Sequence, residues 1–195
     1  NPTDAHPVTG AKLKQFDMKT GNVSIVLDPR RTEIARYATH HIALRPGTNV
    51  AVLNMMMYYI IKEGLADDNF IDNRTEGFED YKKELFNIDL NKLEKISGVD
   101  REEIRQAAIA YASAPNAMSF HGLGVTEHSQ GTFTVMQIAD LALMTGNIGR
   151  RGVGVNPLRG QNNVQGSADM GVQPHQGAGY MDITNPEVNA RYNTF

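Results

Sequence analysis

The segment from Arg159 to Gly166 holds the densest group of residues that could bind a small ligand. It runs Arg-Gly-Gln-Asn-Asn-Val-Gln-Gly, so a guanidinium group and four carboxamides lie close together between glycines. An arginine presents a planar fork that suits a carboxylate, and carboxamides both donate and accept hydrogen bonds, which suits pterin and guanine edges. The alternative is a polar surface loop. Because secondary structure requires no such composition, we interpret the segment as a ligand loop.

A second candidate site, Asp28-Pro29-Arg30-Arg31, ends a β-branched run over residues 23–28 that predicts a buried strand. In doubly wound sheets, ligands bind at the carboxyl ends of strands. A carboxylate there can accept hydrogen bonds from a ribose diol or a guanine amino edge, and the arginines can approach phosphate. In the alternative interpretation, Asp28 caps the next helix and the arginines are solvated.

Two more candidate loops follow predicted strands at 41–44 and 117–121. The first loop contains Gly47 and Asn49 and leads into a helix, whose N-terminus favours an anion. The alternative is an ordinary loop in which Thr48 caps that helix. The second is Gly122-Leu123-Gly124, which exposes backbone amides without side-chain obstruction; a plain strand–helix turn would look the same. Since carboxyl ends of parallel strands share one edge, we expect the three loops to line one crest of a sheet.

The elements that must position these loops alternate between strands and helices. Apolar residues at three- and four-residue steps predict a buried helix over 49–63 and another from Asp100 to Ala114. A third predicted helix runs through Met144, and either Ser129 or Thr132 could cap its start. Residues 146–180 contain nine of the eighteen glycines and no periodicity. The alternation predicts an α/β fold, a three-layer αβα sandwich with a mainly parallel, Rossmann-like sheet and an irregular C-terminal tail.

Composition narrows the function classes. The 195 residues suffice for one domain with part of a second, and a net charge of −3 gives no reason to expect a nucleic-acid partner. The lack of cysteine excludes disulfides, cysteine-ligated iron–sulfur clusters and thiolate metal ligands within the chain. No apolar run predicts membrane insertion, and the six histidines are interpreted as structural or exposed. With no initiator methionine before Asn1, we expect a fragment.

Several of these motifs together resemble one enzyme family. Asn1-Pro-Thr-Asp-Ala-His-Pro7 resembles a loop in the nucleotide domain of molybdopterin oxidoreductases of the dimethyl sulfoxide reductase family. The motifs at 26–31, 44–49 and 122–126 resemble later sequence motifs of the same domain, and they occur in the same order. The run Thr145–Gly149 followed by Gly154–Gly166 is similar to formate dehydrogenase catalytic subunits within that family. The chain departs from many relatives at Glu127 and at Ser167-Ala168.

The resemblance implies a metal, molybdenum or tungsten, held by two molybdopterin guanine dinucleotides. Asp28, Pro29 and Arg30 would contact a guanosine end, and Gly47 and Asn49 would lie near the same nucleotide. Arg159 would orient formate as the catalytic residue. The remaining implied cofactor contacts are Asn1 at a phosphate, Gln161 beside the pterin and metal, and Gly122, Leu123 and Gly124 along the sheet crest.

The resemblance also implies what lies outside this chain. A 4Fe-4S cluster and the metal ligand would come earlier in the subunit, and residues 162–195 would begin a neighbouring domain after a dinucleotide-binding domain at 1–161. The expected partners are formate, the rest of the alpha subunit and iron–sulfur electron-transfer subunits. The isolated fragment is expected to be inactive and to retain no cofactor. A cytoplasmic location is expected, with a periplasmic or membrane-associated complex left open.

Two other functions remain open at this point. One is a cofactor-free electron-transfer scaffold of the same fold, which would have no need of Arg159 within a carboxamide-rich loop. The other is an oxidoreductase of the family that acts on nitrate or another oxo-anion. The same loop argues less strongly against it, because an arginine also suits those anions.

Overall fold

The computed structural model describes residues 1–161 and 163–194. The chain divides into two compact units, Asn1–Pro157 and Leu158–Phe195, which are described separately below. The division falls a few residues before the predicted domain boundary after Gln161, and the assignment of 162–195 to a neighbouring domain stays a prediction.

The strands of the first unit form two parallel pairs. β1 (Ile25–Leu27) pairs with β2 (His40–Ile42), and β3 (Met118–His121) pairs with β4 (Gly154–Pro157). Parallel strands need a crossover connection. Between β3 and β4 it contains the helices Leu123–Thr126 and Gly131–Met144, whereas the short connection between β1 and β2 contains only the 3₁₀ turn Ile34–Arg36. The parallel pairs among the helices confirm the predicted α/β class. The first three strands match predicted runs, whereas β4 was not predicted.

Helices make up most of the rest of the first unit. Short 3₁₀ turns aside, its described helices are α1 (Pro2–Ala5), α2 (Pro7–Asp17), α3 (Asn49–Lys62), α4 (Asp68–Arg74), α5 (Phe78–Phe86), α6 (Leu90–Ser97), α7 (Arg101–Ala112), α8 (Leu123–Thr126) and α9 (Gly131–Met144).

The core of the first unit is built around α3. This helix packs against α5, α6, α7 and α9. Its apolar residues face all of these neighbours, and Val52, Met55, Met57 and Ile60 are fully buried. The small residues Ala107 and Ala108 of α7 are also buried, so the α3 and α7 backbones can approach closely. The predicted buried helix is therefore confirmed.

The second unit contains only short elements. They are α10 (Val164–Asp169), the antiparallel pair β5 (Gln176–Gly177) and β6 (Met181–Asp182), and α11 (Pro186–Tyr192). Among the described helices of the whole chain, none combines the length and apolar character that a bilayer crossing requires.

Three local predictions were wrong. The N-terminal segment, predicted as a loop, forms α1 and α2, with Pro2 and Pro7 at first helical positions, where proline is favoured. Helix α9 begins after Gln130 with no side-chain cap, so neither Ser129 nor Thr132 caps it. The helix predicted at 32–37 is a single 3₁₀ turn, Ile34–Arg36.

Two glycines that follow helices give a matched stability test. Gly146 and Gly64 both have left-handed backbone angles, with φ of +62° and +67°. A Cβ at Gly146 would lie 2.4 Å from Asp67 Oδ2, whereas a Cβ at Gly64 would meet no atom within 4 Å. Gly64→Ala should cost about 1 kcal/mol of unfolding free energy, and Gly146→Ala should cost more because Asp67 must also move. Urea unfolding measures both; equal losses would contradict the packing argument.

Candidate functional site

Asp28 lies at the carboxyl end of β1 and fixes the turn that follows it. Its backbone N–H donates to Ile42 O at 3.2 Å, and its Oδ1 accepts from the backbone N–H of Arg30 at 2.8 Å. The 3₁₀ turn that follows is capped at Glu33 instead, so Asp28 does not cap the next helix. Pro29, Arg30 and Arg31 are exposed. The turn therefore presents two guanidinium groups beside a half-buried carboxylate.

The loop after β2 is anchored by its arginine and left open at its glycine. The Arg45 guanidinium donates to Lys95 O at 2.6 Å at the end of α6. Thr48 is the N-cap residue of α3, but its hydroxyl donates back to Arg45 O at 2.6 Å and does not cap the helix. The side-chain cap of the alternative interpretation is therefore not formed. Gly47 has φ +81°, and a Cβ there would meet no atom within 4 Å. Asn49 is half-buried as the first residue of α3.

The third predicted loop follows β3. Gly122 precedes the single turn α8, whose first two residues, Leu123 and Gly124, are exposed. A Cβ at Gly124 would meet no atom within 4 Å. This loop thus ends a strand of the second parallel pair, whereas the loops at Asp28 and Gly47 end strands of the first pair.

His121, the last residue of β3, is a buried polar residue that the sequence interpretation did not single out. It is 8% exposed, and its Nδ1 is buried without a hydrogen-bond partner among the described residues. Burial lowers the pKa of its imidazole from the ordinary 6.5. Strand alternation could have indicated this burial, because the preceding Phe120 is exposed.

Burial of His121 predicts a specific acid sensitivity. Because its pKa is lower in the folded protein, the unfolded chain takes up a proton first as the pH falls below about 6.5. Stability should therefore be fully present above that pH and should fall as the medium becomes more acidic. Thermal unfolding from pH 7.5 to 5 should show a smaller decline for His121→Phe than for the unchanged protein. Parallel declines would contradict the assignment.

Asn1 and the Arg159 segment belong to different units of the chain. The Asn1 side chain bonds Thr3 and Asp4 within α1. In the second unit, Arg159 and Gln161 are exposed, and Asn162 lies outside the described residues. Gln165 donates to the hydroxyl of Tyr180 at 2.6 Å and to Asp169 at 3.0 Å. The Gln165 carboxamide therefore stabilises its own unit, although it is exposed, as Gln161 and Asn163 are.

The positive charge of Arg159 also acts on Tyr180. The hydrogen bond from Tyr180 to Asp169 is the largest influence and raises the pKa of that phenol, while Arg159 opposes it weakly. The phenol therefore stays a neutral donor to Asp169.

The family model for molybdopterin oxidoreductases matches residues 1–191. The chain belongs to this family. This molybdopterin oxidoreductase chain is 46% identical to formate dehydrogenase H of Escherichia coli over 95% of the chain. It is 43% identical to the alpha subunit of F420-dependent formate dehydrogenase 2 of Methanococcus maripaludis over 94% of the chain. It spans 26% and 27% of those two proteins.

A solved structure supports the fold. Acetylene hydratase from Pelobacter acetylenicus is 31% identical, with a TM-score of 0.65 over 73% of this molybdopterin oxidoreductase chain and 19% of its own. The α/β class predicted from the sequence therefore agrees with a solved structure of the same kind.

The residues of the first unit suit a polar dinucleotide. The open sides of Gly47 and Gly124 would let a ligand approach the backbone, and the exposed Arg30 can approach phosphate. Within residues 1–161 and 163–194, no three histidine or acidic side chains come together as a metal site. In this molybdopterin oxidoreductase chain, Arg30, Gly47 and Gly124 are thus described residues that could contact the organic part of a cofactor.

Proposed function

We propose that this chain is part of a formate dehydrogenase catalytic subunit that oxidises formate to carbon dioxide. The observation that carries the proposal is the identity of 46% and 43%, over nearly the whole chain, to two proteins named formate dehydrogenases from different organisms. Family membership alone would not choose the reaction, since a relative of 31% identity is a hydratase. The higher identities favour formate as the substrate.

In this proposal Arg159 is the residue that orients the substrate. Formate is a small anion, and a guanidinium can hold both carboxylate oxygens with two parallel N–H···O bonds. That fixes the direction in which the C–H bond points. Gln161, exposed two residues later, borders the pterin and the metal. Both side chains are exposed to solvent.

The loops of the first unit hold a molybdopterin guanine dinucleotide. Asp28 accepts from the guanosine end, Pro29 and Arg30 line it, and the open backbone at Gly47 beside Asn49 admits the same nucleotide. Gly122, Leu123 and Gly124 line the cofactor farther along, and Asn1 reaches a phosphate. When bound, a centre of molybdenum or tungsten with two such dinucleotides accepts the two electrons released as formate becomes carbon dioxide and a proton.

The electrons then need a route onward. We propose a 4Fe-4S cluster in the longer subunit and iron–sulfur partner subunits as that route, in a cytoplasmic enzyme. The chain itself contributes no cysteine to such a cluster.

The proposal is tested on the purified holoenzyme by formate-dependent dye reduction, together with metal and guanine nucleotide content. Formate turnover by a preparation that contains molybdenum or tungsten supports it. Turnover of nitrate but not formate in a metal-loaded preparation would assign another oxo-anion oxidoreductase. A well-folded preparation without metal or dinucleotide would assign the scaffold function.

Asp28→Asn should weaken dinucleotide binding without disturbing the turn. The amide oxygen can still accept from the Arg30 N–H, which lies 2.8 Å from Oδ1, but the charge that attracts sugar hydroxyls or the guanine amino edge is lost. We expect about tenfold faster release of guanine nucleotide from the holoenzyme. Asp72→Ala, an exposed acid on α4, is the control. Equal release from Asp28→Asn and the unchanged enzyme would remove Asp28 from the site.

A further inference from the structure

His121 combines two features that are not found together at another residue described above. Its side chain is more than nine-tenths buried, and its Nδ1 is buried without a hydrogen-bond partner in the described part of the chain. It is also followed directly by Gly122, Leu123 and Gly124, a loop whose backbone is open at Gly124. A buried polar atom without a partner is unfavourable, and such atoms in native proteins usually have a water, ion or ligand as their partner.

The chain around His121 offers no replacement for that partner. Directly across the parallel pair, His121 lies opposite Pro157, which has no N–H to donate. The neighbouring strand residue Phe120 points to the exposed side. The imidazole therefore lies on the inner side of β3, at the point where the strand runs into the open glycine loop.

We propose that His121 binds the dinucleotide through Nδ1, by a hydrogen bond to an uncharged nitrogen or oxygen atom of the cofactor lying along the Gly122–Gly124 loop. The inference rests on the proposed function. It assigns His121 to the cofactor site as a binding residue that the sequence motif itself does not include. An uncharged partner fits, because burial disfavours the imidazolium form and a neutral imidazole can donate or accept at Nδ1.

Three substitutions separate the two ring nitrogens. Asparagine places a polar atom near the position of Nδ1, glutamine places one near that of Nε2, and phenylalanine keeps the ring without either nitrogen. Tyr111→Phe is the control, because it also removes one buried polar atom, but from α7 and not from β3 or the glycine loop. The measurements are the rate of guanine nucleotide and metal release from the purified holoenzyme, and the thermal unfolding of the same protein after cofactor removal.

We expect His121→Phe and His121→Gln to release the nucleotide about five to ten times faster than the unchanged enzyme, and His121→Asn to stay within about twofold of it. Tyr111→Phe should release it at the unchanged rate. After cofactor removal, His121→Phe should unfold at no lower temperature near neutral pH, because it removes an unpartnered polar atom. A purely structural histidine would show the opposite pattern, with lower stability and unchanged release.

Two results would overturn the inference while leaving the proposed function intact. One is unchanged release from His121→Phe in a preparation in which Asp28→Asn does accelerate release. The other is equal acceleration by the phenylalanine, glutamine and asparagine variants, which would exclude a specific role for Nδ1. An unchanged enzyme that holds no dinucleotide would instead overturn the proposed function, and this inference with it.

Discussion

Arg159→Ala should lower kcat/KM for formate by about 10²–10³-fold while leaving metal and guanine nucleotide content unchanged. The expected loss is large because the guanidinium both neutralises the carboxylate and fixes its orientation, and orientation effects of this kind act on the chemical step as well as on binding. Arg159 lies in the second unit, and the loops at Asp28, Gly47 and Gly122, which we propose to bind the dinucleotide, lie in the first. The substitution should therefore separate substrate handling from cofactor retention. Formate-dependent dye reduction and metal analysis on the same preparation measure the two.

Arg159→Lys and Arg151→Ala sharpen that experiment. Lysine keeps the charge but lacks the planar fork, so it should recover only part of the lost turnover. Arg151, an exposed arginine in the turn before β4, is the control and should turn over formate at the unchanged rate. If Arg159→Ala loses metal and nucleotide in proportion to its activity, Arg159 supports cofactor binding and is not the substrate residue.

Asn147→Ala should lower the free energy of unfolding by about 2–4 kcal/mol, among the larger effects expected of a single substitution. Asn147 is 1% exposed. Its Oδ1 accepts from the backbone N–H of Ala117 at 2.9 Å, and its Nδ2 donates to Thr145 Oγ1 at 2.9 Å. Alanine would leave both partners without those bonds, at the junction between the end of α9 and the start of β3. Chemical denaturation, followed by circular dichroism, measures the loss.

Asn156→Ala is the matched control for that prediction. Asn156 is another asparagine with two side-chain hydrogen bonds, which its Nδ2 donates to Ser119 O at 3.2 Å and Gly154 O at 3.3 Å, but it is only half-buried. Water can replace its bonds, so the loss should stay below about 1 kcal/mol. A loss for Asn147→Ala as small as that for Asn156→Ala would mean that the junction relaxes and lets water in.

The sequence predicted those elements whose apolar residues repeat on a buried face. Helix α3 is the clearest case, since its pattern and its burial agree residue by residue from Val52 to Ile60. Helix α2 was missed for the opposite reason: Val8, Phe16 and Met18 in and beside it are exposed, so no buried apolar face marked it. Gly10, within α2, has no room for a side chain, since a Cβ there would lie 2.8 Å from Pro2 O. Strand β4 was missed because its pairing with the distant β3 defines it.

The candidate site could be predicted where a single residue type determines the backbone conformation. The sequence placed Gly47 in a candidate ligand loop, and the residue has the left-handed backbone conformation that glycine permits. The role of Thr48 could not be predicted, because a threonine hydroxyl at this position can either cap the helix or bond the loop backbone. The folded geometry selects the second, a hydrogen bond to Arg45 O. His121 was missed because its significance lies in a hydrogen bond that is not made, and only the surroundings of a folded side chain reveal such an absence.

The central position of α3 has a consequence for motion. A helix enclosed by α5, α6, α7 and α9 cannot open by itself, so its amide protons should exchange with solvent deuterium only when the whole first unit unfolds. The loop at Gly47 leads directly into this helix. One end of the proposed nucleotide site therefore begins on the slowest-exchanging segment of the chain, while its open glycine stays free to exchange. A nucleotide bound at that end of the proposed site would therefore contact a helix end that barely fluctuates, and local motion there would be confined to the loop.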